Sequence, residues 1–164
     1  MQGLTKREFR ITDEAQILEI LDKCKVLHLG LAVNNEPYVV PLNYGSVMED
    51  GKLTLYLHSA VQGKKLDMIR ANPNVFFSLE TGLTPFEGEK PCQYGLSYAS
   101  VMGRGTARFV EDAEEKMEAM TVLMKTQTGK DFSFNERLVS IVSVIRIDVS
   151  EYTAKNRPIP ENLR

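Results

Sequence analysis

Ten consecutive residues, Leu57-His58-Ser59-Ala60-Val61-Gln62-Gly63-Lys64-Lys65-Leu66, hold the types that bind an anion. An imidazole and a hydroxyl close an apolar strand, a glycine turns the chain, and two ammonium groups open the helix that follows. Helix N-termini carry unpaired N–H donors and a positive partial charge, which suits phosphate. Lysine there opposes the helix dipole, so a bound anion gives it a reason to be present. The other reading of the same residues is a solvated helix start with two exposed lysines.

Further chemistry-bearing sets are thin. The chain has two histidines, His28 and His58, so a His-rich metal centre is excluded and no metal site is expected. His28 stands mid-strand among leucines and reads as structural. His58 ends a strand beside the anion residues and is the one candidate for catalysis. GxSxG, HExxH, Walker and GxGxxG patterns are absent. With few acids or bases at hand, a bound cofactor is expected to carry the chemistry, and the protein to bind and orient it.

The elements that position these residues follow from periodicity. Thr12-Asp13-Glu14 opens a helix whose apolar face is Ile17, Leu18, Ile20, Leu21 and Cys24. Strands are expected at 26–33, 37–44, 52–58, 75–80, 98–110 and 141–149, the first two forming a hairpin around Asn34-Asn35-Glu36. Pro41 cannot donate to a ladder, so it marks an edge, a bulge or a place where pairing stops. Asp50-Gly51 is a hairpin turn. A helix runs from about residue 62 to 71 and stops at Asn72-Pro73. Residues 81–97 read as a long loop of the functional or interface-covering kind. Gly103 and Gly105 suggest a bend or a close backbone approach. A second amphipathic helix turns Ala113, Met117, Met120 and Met124 inward and stops at Gly129, and a short helix is expected at 135–140. Residues 150–164 read as extended. Six mostly antiparallel strands with helices around them predict a mainly β (α+β) fold, a small closed or nearly closed barrel.

Bulk properties narrow the class. The 164 residues, 43% apolar and 26% charged, fit one globular domain with its own core. A net charge of −2 gives no pull toward nucleic acid or an acidic membrane. Cys24 and Cys92 are isolated, which fits a reducing compartment. No apolar run reaches the ~18–20 residues of a membrane span. Residues 1–10 lack the apolar stretch of a signal peptide, so a cytoplasmic location is expected.

Four segments then occur in a recognisable order. They are Val39-Val40-Pro41-Leu42-Asn43-Tyr44-Gly45; Leu57-His58-Ser59-Ala60 with Gly63-Lys64-Lys65; Tyr98-Ala99-Ser100-Val101 with Gly103-Arg104-Gly105-Thr106-Ala107; and Val144-Ile145-Arg146-Ile147-Asp148-Val149. Together, over roughly residues 5–155, they resemble the FMN-binding split-barrel proteins related to pyridoxamine 5′-phosphate oxidase. Within that group they resemble the nitroimidazole-resistance, nitroreductase-like branch.

The resemblance implies a six-stranded antiparallel split β-barrel over residues 1–155, with 156–164 as an extended tail. It implies a homodimer with one FMN per subunit at the interface. Pro41, Leu42, Asn43 and Tyr44 would line the isoalloxazine ring. His58, Ser59 and Ala60 would meet the ribityl-phosphate, and Lys64 and Lys65 would hold the phosphate. Tyr98, Ser100 and Val101 would lie near the flavin, that of the other subunit included. Haem-binding relatives share the barrel, so haem is the alternative cofactor. The basic tail Lys155-Asn156-Arg157-Pro158 does not reproduce the arginine-rich substrate-phosphate site of the oxidase proper. The implied activity is FMN-dependent reduction of small electrophiles such as nitro compounds or quinones. The alternative is a non-catalytic flavin- or haem-binding sensor or carrier.

Overall fold

The computed structural model describes residues 9–163. In chain order it holds β1 (Arg10–Ile11), α1 (Glu14–Lys23), β2 (Leu27–Val33), β3 (Glu36–Leu42), β4 (Tyr44–Glu49), β5 (Lys52–Ser59) and α2 (Lys64–Ala71). There follow β6 (Asn74–Phe86), β7 (Gly95–Val110), α3 (Ala113–Thr128), α4 (Glu136–Val139) and β8 (Ser143–Arg157). The strands form one antiparallel sheet in the order β3-β2-β6-β7-β8-β5-β4, with β1 added to β8. The two ends of that order, β3 and β4, are joined through Asn43 alone. A sheet whose end strands meet at a single residue must curl on itself, and this makes the barrel.

The alternation of large apolar residues sets the inner face. Leu27, Leu29 and Leu31 on β2, Leu53, Leu55 and Leu57 on β5, and Phe77 and Leu79 on β6 are all buried in one cluster. Ile145 and Ile147 of β8 join them, as do Ile17, Ile20 and Leu21 of α1 and Leu66 and Ile69 of α2. Outside the barrel, α3 rests on β4 and β5. It comes so close that a Cβ on Gly45 would sit 2.5 Å from Leu123 Cα.

Several expectations need correction. The sheet has eight strands, not six. The run 37–44 breaks at Asn43, and Tyr44–Glu49 becomes β4, whose short apolar stretch reads in sequence as the approach to a turn. The second addition is the two-residue β1, paired with Ala154 and Lys155. The expected loop at 81–97 is largely strand. β6 continues past a bulge between Thr81 and Thr84 to Phe86, and β7 already starts at Gly95. The register of β7 on β8 shifts between Arg104 and Gly105, at the predicted glycine pair. The helix-start residue of α1 is Asp13, not Thr12. On α3 the buried stripe is Ala119, Leu123 and Thr126, because the close approach at Gly45 turns that face to the sheet. Met117, Met120 and Met124 flank it, half-buried.

Candidate cofactor site

Ser59 is the last residue of β5, and strand alternation turns its side chain inward with Leu55 and Leu57. It is 6% exposed. Among the described residues, the buried side-chain atoms without a hydrogen-bond partner are Ser59 Oγ and His58 Nδ1. A buried polar atom left open costs free energy, so natural proteins seldom keep one without a use. Gly63 follows at φ +146°, a conformation that L side chains rarely adopt, and there is open space where a Cβ would stand. It turns the chain into α2. No side chain caps that helix, and the amides of Leu66 and Asp67 return to the Gly63 carbonyl at 2.9 and 3.3 Å. The amides of Lys64 and Lys65 therefore head the helix free of backbone partners. Lys64 Nζ lies 4.9 Å from the centre of the Tyr38 ring, a contact from β3 that nothing in the local sequence announces. One open hydroxyl, free helix amides and two ammonium groups fit a phosphate dianion.

The register brings the predicted ring-lining segment to the same corner. Tyr44 pairs with Leu57, which sets Asn43 beside the end of β5. Pro41 is exposed on the edge strand β3, opposite His28, so its missing N–H costs no ladder bond on the open side. Leu42 is half-buried next to it. The Asn43 amide group is already used, donating to the Lys25 carbonyl at 3.0 Å and to Gln127 Oε1 at 3.2 Å. Tyr44 has no exposed surface, and its hydroxyl donates to the Leu21 carbonyl at 2.7 Å. Burial pushes that phenol far up from its ordinary value. Tyr44 thus serves the core and presents no side chain to a ligand.

His58 and Ser59 point to opposite faces of β5, as neighbours in a strand must. Ser59 faces the barrel interior, whereas His58 faces the side covered by α3. Ala60 is exposed in the turn between them and Gly63. Tyr98, Ser100 and Val101 are not brought to the corner. Across β8 the β7 residue level with His58 is Val110, whereas Tyr98 and Val101 pair with Arg157 and Ala154 toward the far end of that strand. Val101 is fully buried inward, while Tyr98 is half-buried under Lys155 Nζ at 4.8 Å. A cavity of about 470 Å³ opens beside Tyr98, between α1 and the β6–β7 arm, with Lys23, Thr81 and Asn156 in its wall.

His28, read from sequence as structural, is half-exposed on the outer face of β2, with Nδ1 3.8 Å from Glu80 Oε1. The alternation Leu27-His28-Leu29 held that signal, since the leucines take the inner face and leave the histidine the outer one.

Among curated proteins no sequence matches. The family model described as pyridoxamine 5′-phosphate oxidase matches residues 13–156. A Bacteroides thetaiotaomicron structure, described as a candidate 5-nitroimidazole antibiotic resistance protein, is 33% identical. That match covers 90% of this chain and 86% of the other, with a TM-score of 0.75. A flavocytochrome of Azotobacter vinelandii shares the fold at 18% identity, covering 95% of this chain and 73% of its own, with a TM-score of 0.74. An FAD-binding protein of Mesorhizobium loti does so at 24%, covering 89% and 96%, with a TM-score of 0.61. The model match over most of the length, with the split-barrel sheet and its open corner after β5, shows that this chain belongs to the pyridoxamine 5′-phosphate oxidase family.

Proposed function

We propose that the protein holds FMN with its phosphate at the head of α2, and uses it to reduce small electrophiles such as nitro compounds or quinones. The observation that carries this reading is the Ser59 hydroxyl, buried and without a partner beside an uncapped helix start. Ser59 Oγ and the Lys64 and Lys65 amides would donate to phosphate oxygens, the two ammonium groups would balance the charge, and Pro41 and Leu42 would give the ring an apolar edge. When bound, the flavin supplies the two-electron chemistry that no side chain here can perform. The likeness to the Bacteroides thetaiotaomicron protein, at 33% identity, supports a nitro compound as one substrate class.

The proposed partner is a second copy of the chain. Val39, Phe76 and Met102 are 63%, 44% and 39% exposed on the outer face of adjacent strands, with only Gly30 between the first two. A contiguous apolar face of this kind marks an association surface. Covering it with a second copy would bring Tyr98 and Ser100 of one subunit toward the cofactor of the other.

The absorption spectrum of the purified protein, followed by FMN titration, tests the reading. A flavin band and saturable binding are expected, and Lys64→Ala with Lys65→Ala should weaken binding about 10- to 100-fold, the ~1.5–3 kcal/mol of one hydrogen bond to a charged group in all. A colourless protein that takes up no FMN overturns it, and a Soret band would point to haem instead. Sedimentation should give a dimer, and a monomer that binds FMN tightly overturns the shared site.

A further inference from the structure

One titratable pair on the outer face is left unused by the phosphate site. His28 pairs with Pro41 on one side and Ser78 on the other. Leu27 and Leu29, its neighbours along the strand, are fully buried, so the imidazole faces outward. Glu80 stands on the same face of β6, two residues beyond Ser78, and His28 and Glu80 are 41% and 36% exposed. The nearest large side chains on this face, Val39, Phe76 and Met102, are apolar. The pair therefore lies in an apolar surface, one strand from the predicted ring-lining residue.

We propose that His28 is the proton donor to the substrate reduced at this site, and that Glu80 is the positioning residue that orients its ring. This rests on the flavin reading above. Reduction of a quinone to a hydroquinone takes two electrons and two protons. A bound flavin, recharged by a nicotinamide nucleotide, would supply both electrons and one proton as hydride. The second proton passes from His28 Nε2 to a carbonyl oxygen of the quinone. The N–H bond breaks, an O–H bond forms, and the ring takes back a proton from solvent once the product has left. Glu80 Oε1 lies 3.8 Å from Nδ1, away from the Nε2 edge of the ring.

His58 faces the side of β5 that α3 covers, and the other proton-carrying groups near Pro41 are committed. The Tyr44 hydroxyl is buried against Leu21. The Cys24 thiol is buried and donates to the carbonyls of Val26 and Glu80 at 3.0 and 3.2 Å. Lys64 lies over Tyr38 at the phosphate end. No charge reaches the outer face from the stretch of β3 opposite His28, where Val39, Val40 and Pro41 stand. On β7, Arg104 is paired with Glu151 at 3.3 Å. On β8, Lys155 lies over Tyr98.

The chain's two histidines make the test clean. In untagged protein their imidazole C2–H proton signals are assigned with His28→Gln, and FMN is titrated in while binding is followed by absorption. The His28 signal should move or broaden as FMN binds. In turnover with a benzoquinone and a nicotinamide donor, His28→Gln should keep its FMN affinity and KM. It should lose about 100-fold in kcat, the scale of general-acid catalysis. The fall of kcat with rising pH should vanish with it. His28→Asn, smaller and polar, should behave the same way. Glu80→Gln should lose less, and Glu80→Asp should recover part of that loss. FMN binding that leaves the His28 signal in place, or a His28 variant with wild-type kcat and pH profile, overturns the proposal alone. Failure to bind FMN overturns the flavin reading and the proposal with it.

Discussion

Two polar regions of the barrel, a short walk apart, treat their hydrogen-bonding groups in opposite ways. Where β4 meets α1 and α3, the groups pair with one another. Tyr44 donates to Leu21, Gln127 to the Tyr44 carbonyl, the Ser46 amide to Thr126 Oγ1, and the Lys25 ammonium to the Thr126 carbonyl. At the end of β5, Ser59 Oγ on the inner face and His58 Nδ1 on the outer are buried and open, and the start of α2 just beyond is uncapped. Both regions come from the same stretch of barrel, since Tyr44 is the cross-strand partner of Leu57. The difference separates polar groups that hold the fold from polar groups that hold something else. A paired buried group is worth most to stability, whereas an open one costs stability until a ligand pairs it.

That contrast breaks first at Gly45, in the closed region. A Cβ there would lie 2.5 Å from Leu123 Cα and 2.6 Å from Leu123 N, backbone atoms that move only if α3 moves. Gly45→Ala should cost about 3 kcal/mol in urea unfolding, at the high end of overpacking. The loss should be equal with and without FMN. A mild loss, or one confined to the FMN-bound protein, would mean that α3 does not fix this side of the barrel.

Tyr44→Phe is the next step down. It strips the Leu21 carbonyl of its donor and should cost about 1–2 kcal/mol, with FMN affinity unchanged. Its pH signature has a definite sign. The unfolded chain loses the Tyr44 proton at the ordinary value of 10.0, whereas burial keeps the folded phenol protonated well above that. Above that pH the unfolded state binds fewer protons, so stability falls as pH rises, by up to ~1.4 kcal/mol per pH unit for this group. Burial raises the Cys24 thiol from 9.0, which acts in the same direction from a lower pH. Stability curves between neutral and strongly alkaline pH should flatten in Tyr44→Phe. An unchanged slope would show that the phenol is not held as the structure has it.

The open region was legible in sequence because it is local. His58 to Lys65 is one run, and strand end, glycine and helix start follow each other without help from elsewhere. The strands at 27–33 and 52–59 were legible through alternation, and Pro41 was a sound sign of an edge. The closed region was not legible, since its partners are far apart in sequence. Tyr44 at the end of an apolar strand reads equally as ligand contact or core, and only its distance to Leu21 in space decides. β4 hides as the approach to a turn, and the outer half of β6 hides behind a bulge at Gly82. The half-burial of His28 follows from strict alternation, which gives the flanking leucines the inner face and the histidine the outer one.

Ser59→Ala is the smallest perturbation and divides the two regions by sign. In the closed region, deleting a hydroxyl removes a bond and destabilises the protein. At Ser59 there is no bond to remove in the free protein, and the hydroxyl carries only its burial cost, ~1–3 kcal/mol in protein mutational data. Alanine keeps the volume apart from one oxygen and should raise the stability of the free protein by about 1 kcal/mol. With FMN bound, the same substitution loses a hydrogen bond to phosphate and should weaken binding about fivefold to tenfold, matching ~1–1.5 kcal/mol. Ligand stabilises the folded state in proportion to RT ln(1 + [L]/Kd), so excess FMN lifts the wild type more than the variant. Thermal unfolding across an FMN series should therefore show the variant ahead without ligand and the gap closing, then vanishing, as FMN rises. A variant less stable than wild type in the absence of ligand would mean that Ser59 already serves the fold, and the distinction between the two regions would fail there.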